Sequence, residues 1–117
     1  MHLTYNHMVV EQASEADIDR IFQALADATR RDIVRRVLQG EQSVSALASG
    51  YAMSFAAVQK HVAVLERAAL VAKERRGREQ LVHGNPDGLR RAQTILDRFE
   101  ELWRHRTAGI ASILAED

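Results

Sequence analysis

Polar side chains that can hydrogen-bond to nucleic acid are grouped at the start of residues 54–70, SFAAVQKHVAVLERAAL. In this segment Val58, Val62, Leu65 and Ala69 recur at spacings of three or four residues, which predicts a helix that packs one face into a core. The first turn and the other faces then point outward, with Ser54, Phe55, Ala56, Gln59, Lys60 and His61. Gln and Lys can bond to base edges in a major groove, and Phe or Ala can touch a thymine methyl group.

The start of this predicted helix has a second property that suits DNA. Ser54 can cap it by accepting a hydrogen bond from a backbone N–H two or three residues later. The positive end of the helix dipole then points outward, which favours a nearby phosphate. The alternative is an ordinary amphipathic helix with a solvated polar face. For His61 the alternative is a partly buried residue that hydrogen-bonds within its own neighbourhood.

The preceding segment turns this helix into part of a larger motif. Residues 41–49 (EQSVSALAS) read as a short helix capped by Ser43, and residues 50–53 form a tight turn. Two helices joined in this way, the second with exposed polar residues, make a helix-turn-helix.

The following segment, residues 71–83, predicts two short strands that reverse direction at Gly77, because glycine adopts a positive φ freely. Three arginines lie at the tip of this hairpin: Arg75, Arg76 and Arg78. Guanidinium groups there can follow a phosphate backbone or enter a narrow minor groove. A helix-turn-helix followed by a basic hairpin is a winged helix.

Cap residues predict the remaining helices. Ser14 starts a first helix that runs to about Ala26, and Asp27 starts a second that runs to about Leu38 before Gly40. A last helix begins at the Asn85–Pro86 pair and continues toward the C-terminus. The predicted fold is therefore mainly α, with about five helices and a two-stranded hairpin wing.

From about Ile21 to Trp103 the chain resembles the ArsR-type winged-helix transcriptional repressors. Three motifs carry the resemblance: FQALADATRRDIVRRVL at 22–38, SFAAVQKHVAVLERAALV at 54–71 and ERRGREQLVHGNPDGL at 74–89. The chain departs from the family where members usually have Pro, Ser and Gly, at Ala28, Gln59 and Ala69 respectively. Gln59 can bond to adenine with both amide atoms, so the departure there predicts a different operator sequence.

Length and charge agree with one DNA-binding domain. The 117 residues are 46% hydrophobic, enough for a single core, which we divide into a winged-helix part at 14–84 and a C-terminal helix at 85–117. Residues 30–83 carry ten Lys/Arg against five Asp/Glu, whereas residues 1–29 carry one against five and residues 84–117 five against six. The basic excess thus coincides with the predicted DNA-binding half. No apolar run is long enough for a membrane span and no signal peptide is recognisable, so we expect a cytoplasmic protein.

The last helix carries a long apolar stripe. We expect its dimer-interface residues to be Ile95, Leu96, Phe99, Leu102, Trp103 and Ile110. The alternative is that the stripe packs wholly within one subunit. The family resemblance also implies a dimer, built from the first and last helices. Such a twofold dimer would place the two copies of the 54–70 helix, the recognition helices, roughly 34 Å apart and would read an inverted repeat.

We predict no metal and no cofactor, and the effector stays unknown. The chain has no cysteine, which excludes the thiolate metal site and the disulfide switch of many family members. Asp97 and His105 stand eight residues apart without a further ligand, and Glu101 with His105 reads as a surface pair. His2 and His7 are too few for a structural site.

Two other function classes compete with a DNA-binding regulator. An enzyme is disfavoured, because Ser54 and His61 lie seven residues apart on one helix with no third residue to orient the His, and no glycine-rich phosphate loop is present. A winged-helix module that binds another protein is the better competitor, since a fold does not fix a function.

Overall fold

The computed structural model describes the backbone of residues 14–115 and the side chains of residues 14–105 and Leu114. Within this range the chain forms five helices and three strands, which confirms the mainly α winged helix. The elements are α1 (Glu15–Leu25), α2 (Ala28–Gln39), β1 (Gln42–Ser43), α3 (Val44–Ser49), α4 (Phe55–Arg67), β2 (Val71–Arg76), β3 (Glu79–Gly84) and α5 (Pro86–Ala115).

Each of the first four helices begins at a side chain that accepts a hydrogen bond from the backbone N–H three residues later. The pairs are Ser14 with Asp17, Asp27 with Arg30, Ser43 with Ala46 and Ser54 with Ala57, at 3.0–3.1 Å. These caps satisfy amides that have no partner inside the helix, and each is worth about 1 kcal/mol. The four predicted caps are thereby confirmed.

The sheet contains one strand more than predicted. β2 and β3 form the expected antiparallel hairpin, with Arg76 paired to Glu79 across a two-residue loop in which Gly77 has φ 64°. β1 adds to the other edge of β3 through the pairs Gln42 with Val82 and Ser43 with Leu81, so the strand order is β1-β3-β2. A strand of two residues is too short to show an alternating pattern in the sequence. β1 is recognised only by its pairing with β3.

The core lies between the helices and the sheet. α4 contributes Val58, Val62 and Leu65, each fully buried, as its predicted inner face. They pack with apolar residues from the other elements, among them Ile21, Ile33, Val37, Leu47, Leu70, Val71, Val82 and Ala92. Because α4 is fixed along its back, its opposite side is held at a defined position relative to the wing.

The C-terminal end of α4 corrects one sequence prediction. The helix ends at Arg67, so Ala69 lies beyond it rather than on its buried face, and Ala68 is buried in its place. Ala69 has φ 60°, and the hydrogen bonds from Ala69 N to Glu66 O and from Leu70 N to Leu65 O complete a Schellman motif. This left-handed conformation suits glycine better than alanine, which agrees with the Gly that the family resemblance implies at this position.

α5 leaves the sheet immediately after β3. Its start is tied back to the turn after α4, because Asn85 N donates to Leu70 O at 3.1 Å and Gly88 lies against the Ala69 carbonyl. A Cβ atom at Gly88 would lie 1.5 Å from that carbonyl oxygen, so only glycine fits. Among the described residues, no helix is both long and apolar enough to cross a membrane.

Candidate nucleic-acid interface

The outward side of α4 displays the residues predicted from its pattern. Ser54, Phe55 and Ala56 are exposed at its first turn, and Gln59 and Lys60 are exposed one turn later. The Ser54 hydroxyl accepts from Ala57 N at 3.1 Å, which leaves its own hydrogen available to a ligand. The amides of Phe55 and Ala56 precede the first intrahelical bond, made by Val58 N to Ser54 O, and point out of the helix end.

A groove of about 340 Å³ separates this part of α4 from the wing. Residues from three elements line it: Val44, Ser45, Phe55, Gln59, Arg75, Arg78, Glu79 and Gln80. Arg75 and Arg78 make no ion pair with any residue that the structure describes, so their guanidinium groups are available to a ligand. We call Ser54, Phe55, Ala56, Gln59, Lys60, Arg75 and Arg78 the recognition surface.

Arg76, the third predicted wing arginine, is placed differently. Its Nη1 lies 2.9 Å from Glu41 Oε1 and its Nη2 lies 3.3 Å from Glu74 Oε2. The hydrogen bond with the Glu41 carboxylate raises the pKa of Arg76 further above its usual value. Arg76 therefore binds two carboxylates in the free protein, and it is absent from the lining of the groove.

His61 is a partly buried residue that contacts its own neighbourhood, as the alternative interpretation described. Its side chain is 22% exposed, with Nδ1 3.8 Å from Asp27 Oδ2 and 3.2 Å from Arg30 Nη1. Because arginine only donates, Nδ1 acts as an acceptor and the ring proton of neutral His61 is on Nε2. The hydrogen bond from Arg30 N is the main cause that lowers the pKa of Asp27. These contacts hold α4 against the start of α2.

Arginine side chains also satisfy the carbonyl ends of two helices, a feature that sequence reasoning missed. Arg30 donates to Ala24 O and Gln23 O at the end of α1, at 2.8 and 2.9 Å. Arg36 donates to Leu47 O and Ala46 O at the end of α3 and to Gln42 Oε1. Both arginines lie on α2, so one helix positions the ends of its two neighbours. Their spacing gives no signal, since the acceptors are up to 11 residues away.

The turn of the helix-turn-helix is held by a tyrosine. Tyr51 Oη donates to Asp32 Oδ2 at 2.6 Å, and the Arg36 guanidinium lies 5.2 Å from the centre of the Tyr51 ring. The Tyr51 hydrogen bond lowers the pKa of Asp32, and burial followed by this bond raises the pKa of Tyr51 above 10.0. The turn that joins α3 to α4 is thus anchored to α2 by a charged and aromatic cluster.

A second surface, which is apolar rather than polar, is formed by α1 and α5. Phe22 of α1 packs against Phe99 of α5 with ring centroids 6.0 Å apart and planes at 60°. Both rings remain partly exposed, as do three further α5 side chains. We call Phe22, Leu96, Phe99, Leu102 and Trp103 the apolar face. Phe99 is 52% exposed and Trp103 is 68% exposed.

The predicted interface residues divide in the structure. Ile95 is only 9% exposed and belongs to the core, because it lies on the side of α5 that faces the sheet and helices. Leu96, Phe99, Leu102 and Trp103 are exposed, so the stripe is not covered within the described part of the subunit. The side chain of Ile110 lies outside the described residues.

The residues considered as metal ligands show other contacts. Asp97 accepts a hydrogen bond from Gln93 Nε2 at 2.7 Å, while Glu101 and His105 line a shallow groove on α5 with Arg98 and Leu102. No group of three or more His, Cys, Asp or Glu side chains that could hold a metal occurs among the described residues. His2 and His7 lie outside the described residues.

Known proteins that are similar to this chain are transcriptional regulators. The HTH-type transcriptional regulator Rv2034 of Mycobacterium tuberculosis is 40% identical over 96 residues, which is 82% of this chain and 87% of the relative. The ArsR-like transcriptional regulator from Rhodococcus sp. RHA1 superposes with a TM-score of 0.72 at 30% identity, over 87% of this chain and 94% of that one. This chain belongs to the ArsR family of transcriptional regulators. No family model matches the sequence.

A further ArsR-family neighbour is the homodimeric winged helix-turn-helix DNA-binding domain Mb0332 from Mycobacterium bovis, a possible regulator. It has a TM-score of 0.60 and 27% identity, over 74% of this chain and 82% of that one. The relatives are transcriptional regulators, which confirms the choice of a regulator over an enzyme. The three motifs within residues 22–89 therefore identify the family correctly.

Proposed function

We propose that this ArsR-family protein is a homodimeric, sequence-specific repressor that binds an inverted-repeat operator. The observation that carries the proposal is the groove between α4 and the wing, where Gln59, Arg75 and Arg78 face one space. Base-reading and phosphate-binding groups are thereby held by α4, whose back is buried, and by a hairpin that is paired in register. Such an arrangement positions a helix in a major groove and a hairpin on the flanking backbone.

Each group on the recognition surface has a defined role in this proposal. Gln59 and Lys60 bond to base edges, and Phe55 and Ala56 touch thymine methyl groups. Ser54 and the helix end bond to a phosphate, while Arg75 and Arg78 bind the backbone beside the groove. Five more positive than negative charges in residues 30–83 predict binding that weakens steeply with salt, because each neutralised phosphate releases counterions.

The apolar face supports a dimer. Partly exposed Phe22 and Phe99 rings, with Leu96, Leu102 and Trp103 along α5, form a patch of the kind that marks a protein interface. A second copy is the proposed partner, because a twofold axis pairs such a patch with itself and the related Mb0332 domain is homodimeric. Two recognition helices would then lie roughly 34 Å apart, one duplex turn.

A pair of lysine and arginine variants on α4 tests the base-reading role. Lys60→Ala should weaken binding to the operator by about 1–3 kcal/mol and leave binding to random duplex DNA nearly unchanged. Arg67→Ala is the matched control, because it removes the same charge from the last turn of α4. Titration of labelled operator and random duplexes provides the comparison. Equal losses on both DNAs would remove Lys60 from the base readers.

Charge reversal in the wing tests whether DNA is the ligand at all. Arg75→Glu with Arg78→Glu should abolish DNA binding, since two backbone contacts per subunit become repulsive. Exposed Arg90 of α5, changed to Glu, is the control and should have little effect. Undiminished DNA binding in the wing variant would contradict the proposed interface.

A further inference from the structure

The two neighbouring wing arginines lie on opposite faces of β2. Side chains alternate along a strand, so Arg75 shares a face with Lys73 and Arg76 shares the other face with Glu74. The Lys73 Nζ lies 3.4 Å from Glu66 Oε1 of α4, which shows that the face with Arg75 is turned toward α4. The face with Arg76 is turned toward the segment before β1, where Glu41 lies.

Glu41 lies at the entry to the helix-turn-helix. It directly precedes β1, and β1 ends at Ser43, the residue that caps α3 and so begins the helix-turn-helix. The 2.9 Å contact from Arg76 Nη1 to Glu41 Oε1 therefore ties the far end of the wing strand to the entry of the helix-turn-helix, across 35 residues of sequence.

We infer that Arg76 is a positioning residue, which holds the wing at its angle to α4 through Glu41 and Glu74, while Arg75 and Arg78 make the DNA contacts. This inference rests on the proposed function and assigns different roles to three arginines that the sequence groups together. β1 pairs with β3 only at Leu81 and Val82, whereas Arg76 lies nearer the tip of the wing, opposite Glu79. The Arg76–Glu41 contact therefore holds a part of the wing that the pairing with β1 does not reach.

Charge favours this role over a phosphate contact. If Arg76 moved to a phosphate, the carboxylates of Glu41 and Glu74 would lose their cation and lie near a negative backbone. Arg75 and Arg78 give up no ion pair with a described residue when they bind DNA. A phosphate is thus bound with less loss by the latter two.

Salt dependence of DNA binding separates the two roles. Binding of the full chain to a random duplex is measured between 50 and 200 mM salt for Arg75→Gln, Arg76→Gln and Glu41→Gln. Arg75→Gln should reduce the slope of log K against log salt by about 0.9 per subunit, because one phosphate contact is lost. Arg76→Gln and Glu41→Gln should each weaken binding by up to about fivefold with an unchanged slope.

The opposite result is equally distinct. If Arg76 contacts DNA, Arg76→Gln lowers the slope as much as Arg75→Gln does, and Glu41→Gln strengthens binding by freeing a cation. Either observation overturns the positioning role. The double variant Arg76→Gln with Glu41→Gln should bind no more weakly than either single variant, since both remove one interaction. Additive losses in the double variant would also overturn it.

Hydrogen exchange in the absence of DNA keeps this test separate from the proposed function. Amides of residues 74–80 should exchange faster in Arg76→Gln and in Glu41→Gln, and Arg76→Lys should restore protection because its ammonium can bind Glu41. Unchanged exchange in both Gln variants would overturn the inference. If exchange rises but the parent protein binds no duplex, the proposed function fails and the positioning of the wing stands.

Discussion

The recognition surface and the apolar face differ in how well water can solvate their exposed side chains. On the recognition surface, Ser54 caps the N-terminus of α4, the back of α4 is buried, and the exposed polar groups can hydrogen-bond to water. On the apolar face, Phe22, Phe99 and their neighbours are large hydrophobic groups that water does not satisfy. The first surface is formed within one subunit, whereas the second would gain stability from a partner.

The two surfaces are linked at one tight point. The turn after α4 and the first turn of α5 meet where Gly88 lies against the Ala69 carbonyl, and Asn85 N donates to Leu70 O. The direction of the proposed dimer helix is therefore set by the end of the recognition helix. In a twofold dimer this junction would fix the distance and angle between the two recognition helices.

The largest expected effect breaks this link. Gly88→Ala should destabilise the protein by roughly 3 kcal/mol, because the new methyl group would lie 1.5 Å from a backbone oxygen that cannot move aside as a side chain can. Gly40→Ala is the control, since φ is 162° and nothing lies within 4 Å of the added Cβ, and it should change stability by less than about 0.5 kcal/mol. Urea unfolding of both variants measures the difference, and similar values would contradict the close approach.

The next effect separates the surfaces. Phe99→Glu should weaken self-association by about 2 kcal/mol or more, roughly 30-fold in the dissociation constant, because a charge replaces a ring at the centre of the apolar face. Leu38→Glu changes an exposed apolar residue of α2 that lies outside this face and should leave association unchanged. Sedimentation equilibrium at several concentrations supplies the test. An unchanged association constant for Phe99→Glu would move the interface elsewhere.

A smaller effect concerns the turn beneath the recognition surface. The Tyr51 hydrogen bond holds the pKa of Asp32 below its usual 3.8, so this bond stabilises the fold above pH 3.8 and the contribution is lost as pH falls through the lowered pKa. In Tyr51→Phe the pKa of Asp32 should rise toward 3.8. The carboxyl chemical shift of Asp32, titrated by NMR, reports it.

Asp27 is the internal control for that titration. Its pKa is lowered mainly by the amide of Arg30, so it should titrate alike in the parent and in Tyr51→Phe. If the pKa of Asp32 stayed low in the variant, the tyrosine would not be its main partner.

The smallest effect is a gain. Ala69→Gly should stabilise the protein by about 0.5–1 kcal/mol. Glycine relieves the strain of alanine at φ 60°, and this gain exceeds the cost of the more flexible unfolded chain. Ala68→Gly is the matched control, with φ −82°, and should destabilise by a similar amount. A loss of stability in Ala69→Gly, seen as a lower melting temperature, would show that the left-handed turn is not strained.

Local features of the fold were predictable where one residue type acts on its own neighbourhood. Caps at Ser14, Asp27, Ser43 and Ser54, and the reversal at Gly77, depend on contacts within about three residues. Long-range features were not predictable. β1 needs β3 to exist, and Arg36 reaches carbonyls in another helix, which no spacing in the sequence encodes.

The candidate site shows the same division. Helical periodicity identified the outward side of α4, yet it could not tell that His61 turns toward Asp27 and Arg30 or that carboxylates occupy Arg76. On α5 it marked a single apolar stripe, but Ile95 enters the core while Phe99 stays exposed. Periodicity gives the direction of a side chain from its helix, whereas the neighbouring elements decide what that side chain meets.

Selection from a random duplex pool tests the central claim most directly. The purified protein is incubated with the pool at near-physiological salt, and the retained DNA is sequenced. A homodimer with this recognition surface should enrich an inverted repeat with half-sites one helical turn apart, about 10 base pairs between centres. Failure to enrich any sequence, from a protein that is folded and dimeric, would contradict sequence-specific DNA binding.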